Sequence, residues 1–133
     1  MDVYLSEEAL VFLRAQTLRG SGSRPSGLLL GHKRGGRFFV ERVYPCPRRS
    51  FSQARGFWAL EKLFHGKIIG FYAFGARTEK TAALNQPFAF NKVWLKLETP
   101  RRKKLNFQPS LIEYNGSFFL RPLSLAALPE KKK

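Results

Sequence analysis

The sequence predicts an α/β domain in which helices flank one mixed, curved β-sheet. The apolar segments follow one another in the order strand, helix, hairpin, helix, strand and then further strands, with turn residues between them. The 133 residues are enough for one domain, and the 44% hydrophobic fraction, which includes 13 Phe, can form one core. We therefore expect a single domain over residues 1–128 and a basic, disordered tail over residues 129–133.

The first elements are a short apolar strand at residues 3–5 and an amphipathic helix. Ser6 occupies the N-cap position, and the acidic residues that follow it favour the positive end of the helix dipole. We expect the helix to run to about residue 18 and to end at the Gly- and Ser-rich residues 20–23. Its predicted buried face consists of Leu10, Leu13, Thr17 and Leu18, widened by Val11 and Phe12.

A hairpin and a second helix come next. Residues 27–31 lack alternation, which is typical of a strand buried on both faces, and a turn at residues 33–36 joins them to a partner strand at residues 37–44. Pro45 and Pro47 end that strand. Ser50 or Ser52 is the predicted cap of the second helix, which Gly66 ends. The predicted buried face of this helix is Ala54, Phe57, Leu60, Leu63 and Phe64.

The second half of the chain is predicted to be mostly strands. Residues 67–74 form the most strand-like run and are expected at the sheet centre, followed by a loop over residues 75–91 with one helical turn. Residues 93–98 alternate as a half-buried strand, and residues 101–104 form a charged turn. Residues 111–114 pair with residues 117–120 across Asn115 and Gly116, a dipeptide typical of hairpins.

The charge balance points to an anionic partner. Twenty-four Lys and Arg against nine Asp and Glu give a net charge of +15. A surface of this kind favours sequence-independent contact with phosphates, so RNA is the favoured partner. The alternatives are an acidic protein partner and a basic surface that contacts only solvent. The candidate binding residues are Lys33, Arg34, Arg37, Arg48, Arg49, Arg55, Arg101, Arg102, Lys103 and Lys104, with a further basic run at residues 131–133.

The cysteine and histidine content restricts the chemistry. Cys46 is the only cysteine, and His32 and His65 are the only histidines, so no internal disulfide and no Cys/His zinc cluster can form. Arg48 and Arg49 could depress the pKa of Cys46, but no base is placed beside it, and an inert thiol is favoured. Neither a signal peptide nor a run of about 20 apolar residues is present, so we expect a cytoplasmic protein with no membrane partner.

Three segments carry a resemblance to a known family. They are the opening strand and helix at residues 3–18, the strand at residues 27–31 with its hairpin, and the run Lys-Ile-Ile-Gly-Phe-Tyr at residues 67–72. In order and spacing, from about Val3 to Leu120, the chain resembles the MPN/JAB domain family, whose fold is cytidine-deaminase-like. The active members of that family are JAMM zinc isopeptidases, which cut ubiquitin-like modifiers from lysines.

The residues that active family members use are replaced in this chain. Those members carry a catalytic Glu, two His that bind zinc, and a Ser and an Asp beyond them. The corresponding positions here form a degenerate former active-site groove, and they are Arg24, Ala73, Gly75, Ala83 and Gln86. Because imidazole nitrogens and a carboxylate are what hold the zinc, the resemblance implies an inactive member with no metal and no other cofactor.

The sequence therefore predicts a non-catalytic MPN/JAB-like binding or scaffold module of a larger intracellular complex. Its basic surface would dock on an anionic partner such as RNA, and a protein partner could be another MPN/JAB-like subunit. One alternative is an accessory protein that binds RNA or DNA directly. Another is an isopeptidase-like metalloenzyme with different ligands.

Two aromatic runs invite comparison with strands on which bases stack. In residues 71–74 the rings are adjacent and alternate between faces, so packing at the sheet centre is the favoured interpretation. The same reasoning applied to Phe38 and Phe39 predicts one ring turned inward and its neighbour half covered.

Overall fold

The computed structural model describes residues 2–19, 25–74, 86–98 and 106–127. Within these ranges the chain is an α/β domain with one mixed eight-stranded sheet, as predicted. The strands are β1 (Asp2–Leu5), β2 (Ser26–Arg34), β3 (Arg37–Pro45), β4 (Ile68–Phe74), β5 (Val93–Glu98), β6 (Asn106–Tyr114), β7 (Phe118–Pro122) and β8 (Ser124–Ala127). The helices are α1 (Glu7–Arg19), α2 (Arg48–Phe51) and α3 (Ala54–Leu63), with a 3-10 helix at Pro87–Ala89.

The sheet curls until its two ends approach each other. The strand order is β7-β6-β5-β4-β2-β3-β1-β8, which places β7 and β8 at opposite ends. Yet Leu123 alone separates these strands along the chain, and its N–H donates to the carbonyl of Pro109 at 3.0 Å. One residue can span the two ends only if the sheet is nearly closed into a barrel.

Strand β1 is inserted between β3 and β8 and is parallel to both. Its register aligns Tyr4 with Phe39 on one side and with Ala126 on the other. The sequence predicts the first strand, but it gives no sign of β8, which is short and begins only two residues after Pro122.

Helix α1 packs inside the curl. The Ser6 hydroxyl accepts a hydrogen bond from the N–H of Ala9 at 3.0 Å, which confirms the predicted N-cap, and donates one to the carbonyl of Glu41 at 2.8 Å. Ala9 and Leu13 are buried in the inner core. The inner core also contains Val3, Leu5, Leu29, Phe38, Val40, Ile69, Tyr72, Val93, Leu95, Leu97 and Leu111.

The prediction that Val11 and Phe12 widen the buried face of α1 is wrong. Val11 is 58% exposed and Phe12 is 40% exposed. At about 100° per residue, Val11 lies about 200° around the helix from Ala9, on the side away from the sheet. Leu10 and Leu13 do face the core, whereas the side chains of residues 17–19 lie outside the described part of the structure.

The predicted second helix is two helices in the structure. Pro47 and Gln53 occupy the two N-cap positions, without side-chain cap bonds, so neither Ser50 nor Ser52 caps a helix. The break lets the ring of Phe51 turn inward and stack on Phe71, with ring centroids 5.0 Å apart. It also brings the backbone of Gly56 so close to the carbonyl of Ser50 that a Cβ would lie 2.3 Å from that oxygen.

These helices cover the outer face of the sheet centre, and their contacts correct the predicted buried face. Phe57 is buried, and Leu60 and Phe64 are partly buried against the same cluster, but Ala54 is exposed and Leu63 is 61% exposed. This outer core contains Leu28, Phe51, Phe57, Ile68, Phe71, Ala73, Phe88, Ala89, Trp94 and Ile112. The predicted C-terminal stop is confirmed, because Gly66 adopts a φ of +75°.

Strand β4 lies between β2 and β5 at the sheet centre, as predicted. Phe71 packs in the outer core and Tyr72 in the inner core, where the Tyr72 hydroxyl donates to Gln16 Oε1 at 2.7 Å. Both side chains are 0% exposed, so central packing is confirmed for this run and no base can stack on it. Strand β5 shows the predicted alternation except at Trp94. Val93, Leu95 and Leu97 are buried in the inner core, and Lys96 and Glu98 are half-buried on the other face, but Trp94 is buried in the outer core.

The Asn-Gly hairpin is confirmed with a slightly longer turn. Tyr114 pairs with Phe118, so three residues form the connection, and Gly116 has a φ of +112°. The first hairpin is also confirmed, although its strands extend to Arg34 and Arg37 and leave only two residues in the turn. The predicted loop at 20–23, the charged turn at 101–104, the loop residues 75–85 and the tail at 129–133 lie outside the described residues.

Gly70 gives a test of the packing at the sheet centre. A Cβ at this position would lie 2.4 Å from the carbonyl oxygen of Val93 on β5. We expect Gly70→Ala to lower the free energy of unfolding by about 1–3 kcal/mol, measured by urea denaturation, because β4 and β5 must separate to admit the methyl group.

Gly35→Asn is the matched control. Gly35 has a φ of +61° with open space around the added Cβ, a conformation that Asn tolerates. Its urea midpoint should stay near that of the parent chain. Equal midpoints for the parent chain and Gly70→Ala would contradict the close β4–β5 approach.

Candidate nucleic-acid interface

The first group of predicted basic residues lies at the tip of the β2–β3 hairpin. Lys33, Arg34 and Arg37 are all exposed there. Arg34 and Arg37 are directly opposite each other and form the last pair before the turn. Like charges in this position repel and destabilise the hairpin.

The second group lies at the opposite end of the same hairpin. Arg48 and Arg49 belong to α2, and Arg55 is exposed in the first turn of α3. Strand β3 separates the two groups, and its eight residue steps from Arg37 to Pro45 span about 26 Å. The structure therefore does not bring the two groups together, and residues 101–104 and 131–133 lie outside the described ranges.

The residues at the hairpin tip divide between the two faces of the sheet. Lys33 is in register with the buried Phe38, and its Nζ lies 5.2 Å from the centroid of that ring, so Lys33 is on the face of the inner core. Because side chains alternate along a strand, Arg34 and Arg37 point to the other face. We refer to that side of β1, β2 and β3 as the outer face.

Three aromatic rings form a row on the outer face, one from each strand. Phe39 is in the middle, with Tyr4 on one side and His32 on the other, and each pair is stacked with ring centroids 5.0 Å apart. The interplanar angles are 16° for Tyr4 with Phe39 and 22° for His32 with Phe39. Tyr4 and Phe39 are half-buried, and the His32 side chain is 46% exposed. We call these three residues the aromatic row.

The charged residues around the aromatic row have both signs. Glu41 lies at a β-bulge in β3, and its Oε2 is 2.9 Å from Nδ1 of His32, which fixes the orientation of the imidazole. Asp2 is in register with Arg37. Arg42 is exposed on β3 and in register with Leu30. Arginine and carboxylate groups thus surround a row of partly exposed rings.

The sequence partly anticipates this arrangement. Phe38 is 1% exposed and Phe39 is half-buried, as predicted for that pair. Counting back from the turn at Gly35 and Gly36 would also have placed His32 opposite Phe39, but the predicted strand ends at residue 31. Tyr4 could not be found in this way, because β1 reaches β3 through long-range parallel pairing.

Only part of the predicted former active-site groove can be located. Arg24, Gly75 and Ala83 lie outside the described residues. Ala73 is 0% exposed within the outer core, and Gln86 is half-buried at the start of the 3-10 helix. Across the described ranges, no three side chains of His, Cys, Asp or Glu come together in a group that could hold a metal ion.

Comparison with known proteins finds a similar fold among solved structures. No family model matches the sequence, and no curated protein matches it. Among solved structures, the chain is similar to protein DSY2949 from Desulfitobacterium hafniense, with a TM-score of 0.67 and 16% identity. The alignment covers 96% of this chain and 94% of the other. At this identity, the likeness shows a shared fold alone.

None of the helices in the described part of the chain has both the length and the apolar character needed to cross a bilayer.

Polar groups are buried in or near the outer core, where the sequence predicts none. Lys92 is half-buried, with its Nζ 5.7 Å from the centroid of the Phe57 ring. Burial lowers the pKa of Lys92, and the nearby Glu61 carboxylate partly opposes that shift. Within the described structure, Glu61 Oε1 and Trp94 Nε1 are buried without a hydrogen-bond partner.

Cys46 is in an environment that suppresses its reactivity. The thiol is half-buried, and burial raises its pKa to about 11, opposite to the depression that neighbouring arginines would produce. The backbone is fixed as well, because the Cys46 N–H donates to the carbonyl of Ser26 and the Ser26 hydroxyl donates to the carbonyl of Cys46.

The reactivity of the single thiol tests this environment. A pKa raised from 9.0 to about 11 reduces the thiolate fraction at about pH 8 by about 100-fold. We expect iodoacetamide to label the native chain about 100-fold more slowly than the urea-unfolded chain, as measured by mass spectrometry over time. Equal labelling rates would indicate that Cys46 is not protected.

Proposed function

We propose that this chain is a non-catalytic, MPN/JAB-like binding module that docks on RNA within a larger complex. The family part of the proposal rests on the order of β1, α1, the β2–β3 hairpin, the following helices and β4, which is the order that carries the resemblance. The docking part rests on one observation, which is the pair of opposed arginines at the hairpin tip.

The opposed arginines are well suited to a phosphate. Arg34 and Arg37 face each other across the hairpin, and no salt bridge involving either is found among the described residues. A phosphate bound between them would offset their mutual repulsion and could accept paired hydrogen bonds from the planar guanidinium groups. The net charge of +15 adds a long-range attraction to any polyanion.

The absence of catalysis is part of the proposal. At the two positions where active family members present imidazole, this chain has Ala73 and Gly75, whose side chains offer no atom that can bind zinc. Arg24 stands at the position of the catalytic Glu and cannot act as a general base at neutral pH. The module is therefore proposed to bind its partner without chemically altering it.

Filter binding of a labelled single-stranded RNA tests the docking. Between about 50 and about 200 mM salt, the affinity of the parent chain should fall by orders of magnitude, because RNA binding displaces condensed cations. Replacing both Arg34 and Arg37 with Gln should weaken binding and reduce the slope of log affinity against log salt by about 0.7, the value for the one phosphate that the two arginines hold together.

Lys62→Gln is the control for loss of a positive charge elsewhere on the surface, since Lys62 is exposed in the last turn of α3, away from the hairpin tip. Its salt slope should remain close to that of the parent chain. If no RNA binds at the lower salt concentration, or if the double variant keeps the parent slope, the proposed docking on RNA is wrong. Binding to an acidic protein but not to RNA would also show that the proposed docking on RNA is wrong.

Elemental analysis tests the non-catalytic assignment. Protein purified without chelators should contain less than about one zinc ion per several chains and should release no ubiquitin-like modifier from a lysine-linked substrate, because the ligand positions are substituted. Stoichiometric zinc together with isopeptidase turnover would instead support the metalloenzyme alternative.

A further inference from the structure

We propose that the aromatic row of Tyr4, Phe39 and His32 stacks against the bases of single-stranded nucleic acid. This inference deepens the proposed function and rests on it, because the phosphates would be held by the neighbouring arginines. The observation that carries it is the position of three parallel, partly exposed rings on the same sheet face as Arg34 and Arg37.

The His32 end of the row is open to a base. Strand β4 begins at Ile68, which pairs with Leu30, and the Gly31 N–H donates to the carbonyl of the preceding Lys67 at 2.9 Å, so β2 is hydrogen-bonded to this neighbour as far as Gly31, one residue before His32. In consequence, no β4 residue is in register with His32. The ring is held by the contact between Nδ1 and Glu41 Oε2 at 2.9 Å, and the side chain is 46% exposed. A fixed and exposed imidazole can continue a stack at low entropic cost.

The Tyr4 end of the row borders a small residue. Tyr4 is in register with Ala126 on β8, the last strand in the sheet order. A methyl group covers far less of the adjacent space than an aromatic or branched side chain would. The ring face of Tyr4 turned away from Phe39 therefore has room for a base.

The arginines lie at a suitable distance from the rings. Arg34 and Arg37 are each two residues along the strand from His32 and Phe39, which is about 7 Å. A single ribose can bridge that distance between a base on the row and a phosphate at the hairpin tip. Asp2 is in register with Arg37 and repels phosphate on its side, so the expected phosphate position is nearer to Arg34.

The ring geometry favours single strands over a duplex. In a duplex the faces of the bases are already stacked on one another, and proteins contact mainly the backbone and the groove edges. Rings that stand in a row on a sheet can stack only on bases with a free face. Stacking of this kind tolerates any sequence, as does phosphate contact by arginine.

Two RNA probes of equal charge distinguish the contribution of base stacking to the affinity from that of electrostatic attraction to the phosphates. One is a single strand of about 12 nucleotides without self-complementarity, and the other is a strand of the same length that has the phosphates and sugars but no bases. We expect the base-bearing strand to bind at least about 10-fold more tightly to the parent chain. We also expect it to bind more tightly than the same RNA annealed to its complement.

Variants then locate the stacking. His32→Leu and Tyr4→Leu should each weaken binding of the base-bearing strand by about 10-fold and leave binding of the abasic strand unchanged. Tyr114→Leu is the control, because Tyr114 is a 54% exposed tyrosine on β6, outside the aromatic row. It should alter neither affinity. His32 is exposed, so its replacement provides a result even if Tyr4→Leu destabilises the fold.

The outcomes distinguish this inference from the proposed function. If both probes bind with the same affinity and salt dependence, base stacking is overturned and docking on phosphates stands. If neither probe binds at about 50 mM salt, both proposals fail. Tighter binding of the duplex, or an unchanged affinity for the base-bearing strand in His32→Leu, would also overturn the stacking.

Discussion

The parallel insertion of β1 between β3 and β8 is the constraint on which the rest of the structure depends. This four-residue strand joins the first hairpin to the last strand, and it thereby fixes how far the sheet curls. Its register is set by Val3 and Leu5, which are buried in the inner core, so a slip by one residue would expose them. The same register turns Tyr4 to the outer face.

The two faces of this part of the sheet consequently have different roles. The inner face packs against α1. At the start of this helix, the Ser6 hydroxyl donates a hydrogen bond to the carbonyl of Glu41 at the bulge of β3. Over the sheet centre, α2 and α3 cover the outer face. The outer face near β1 is left partly exposed, with stacked rings and with arginines that face each other. Packing thus determines which aromatic residues form the core and which remain available to a ligand.

Local signals in the sequence account for much of the fold. The N-cap at Ser6, the hairpin turn at Gly35, the central position of β4 and the Asn-Gly hairpin follow from capping, turn chemistry and hydrophobic runs. Long-range pairing accounts for what was missed. The burial of Trp94 on β5, the existence of β8 and the alignment of Tyr4 with Phe39 all depend on which elements become neighbours. The composition and charge runs of the sequence identify the basic residues. Only the strand register shows that Arg34 and Arg37 lie together at the hairpin tip, at the opposite end of the hairpin from Arg55.

The central proposal is that a polyanion binds at the hairpin tip and the aromatic row on the outer face. An NMR titration of isotope-labelled protein with unlabelled single-stranded RNA tests the claim most directly. The predicted result is a set of chemical-shift changes confined to the backbone amides of the hairpin tip and the ring signals of Tyr4, His32 and Phe39, with contacts between the rings retained. Changes centred on Arg55 and the helices, or free-state spectra without contacts between the Tyr4 and Phe39 rings, would contradict the account.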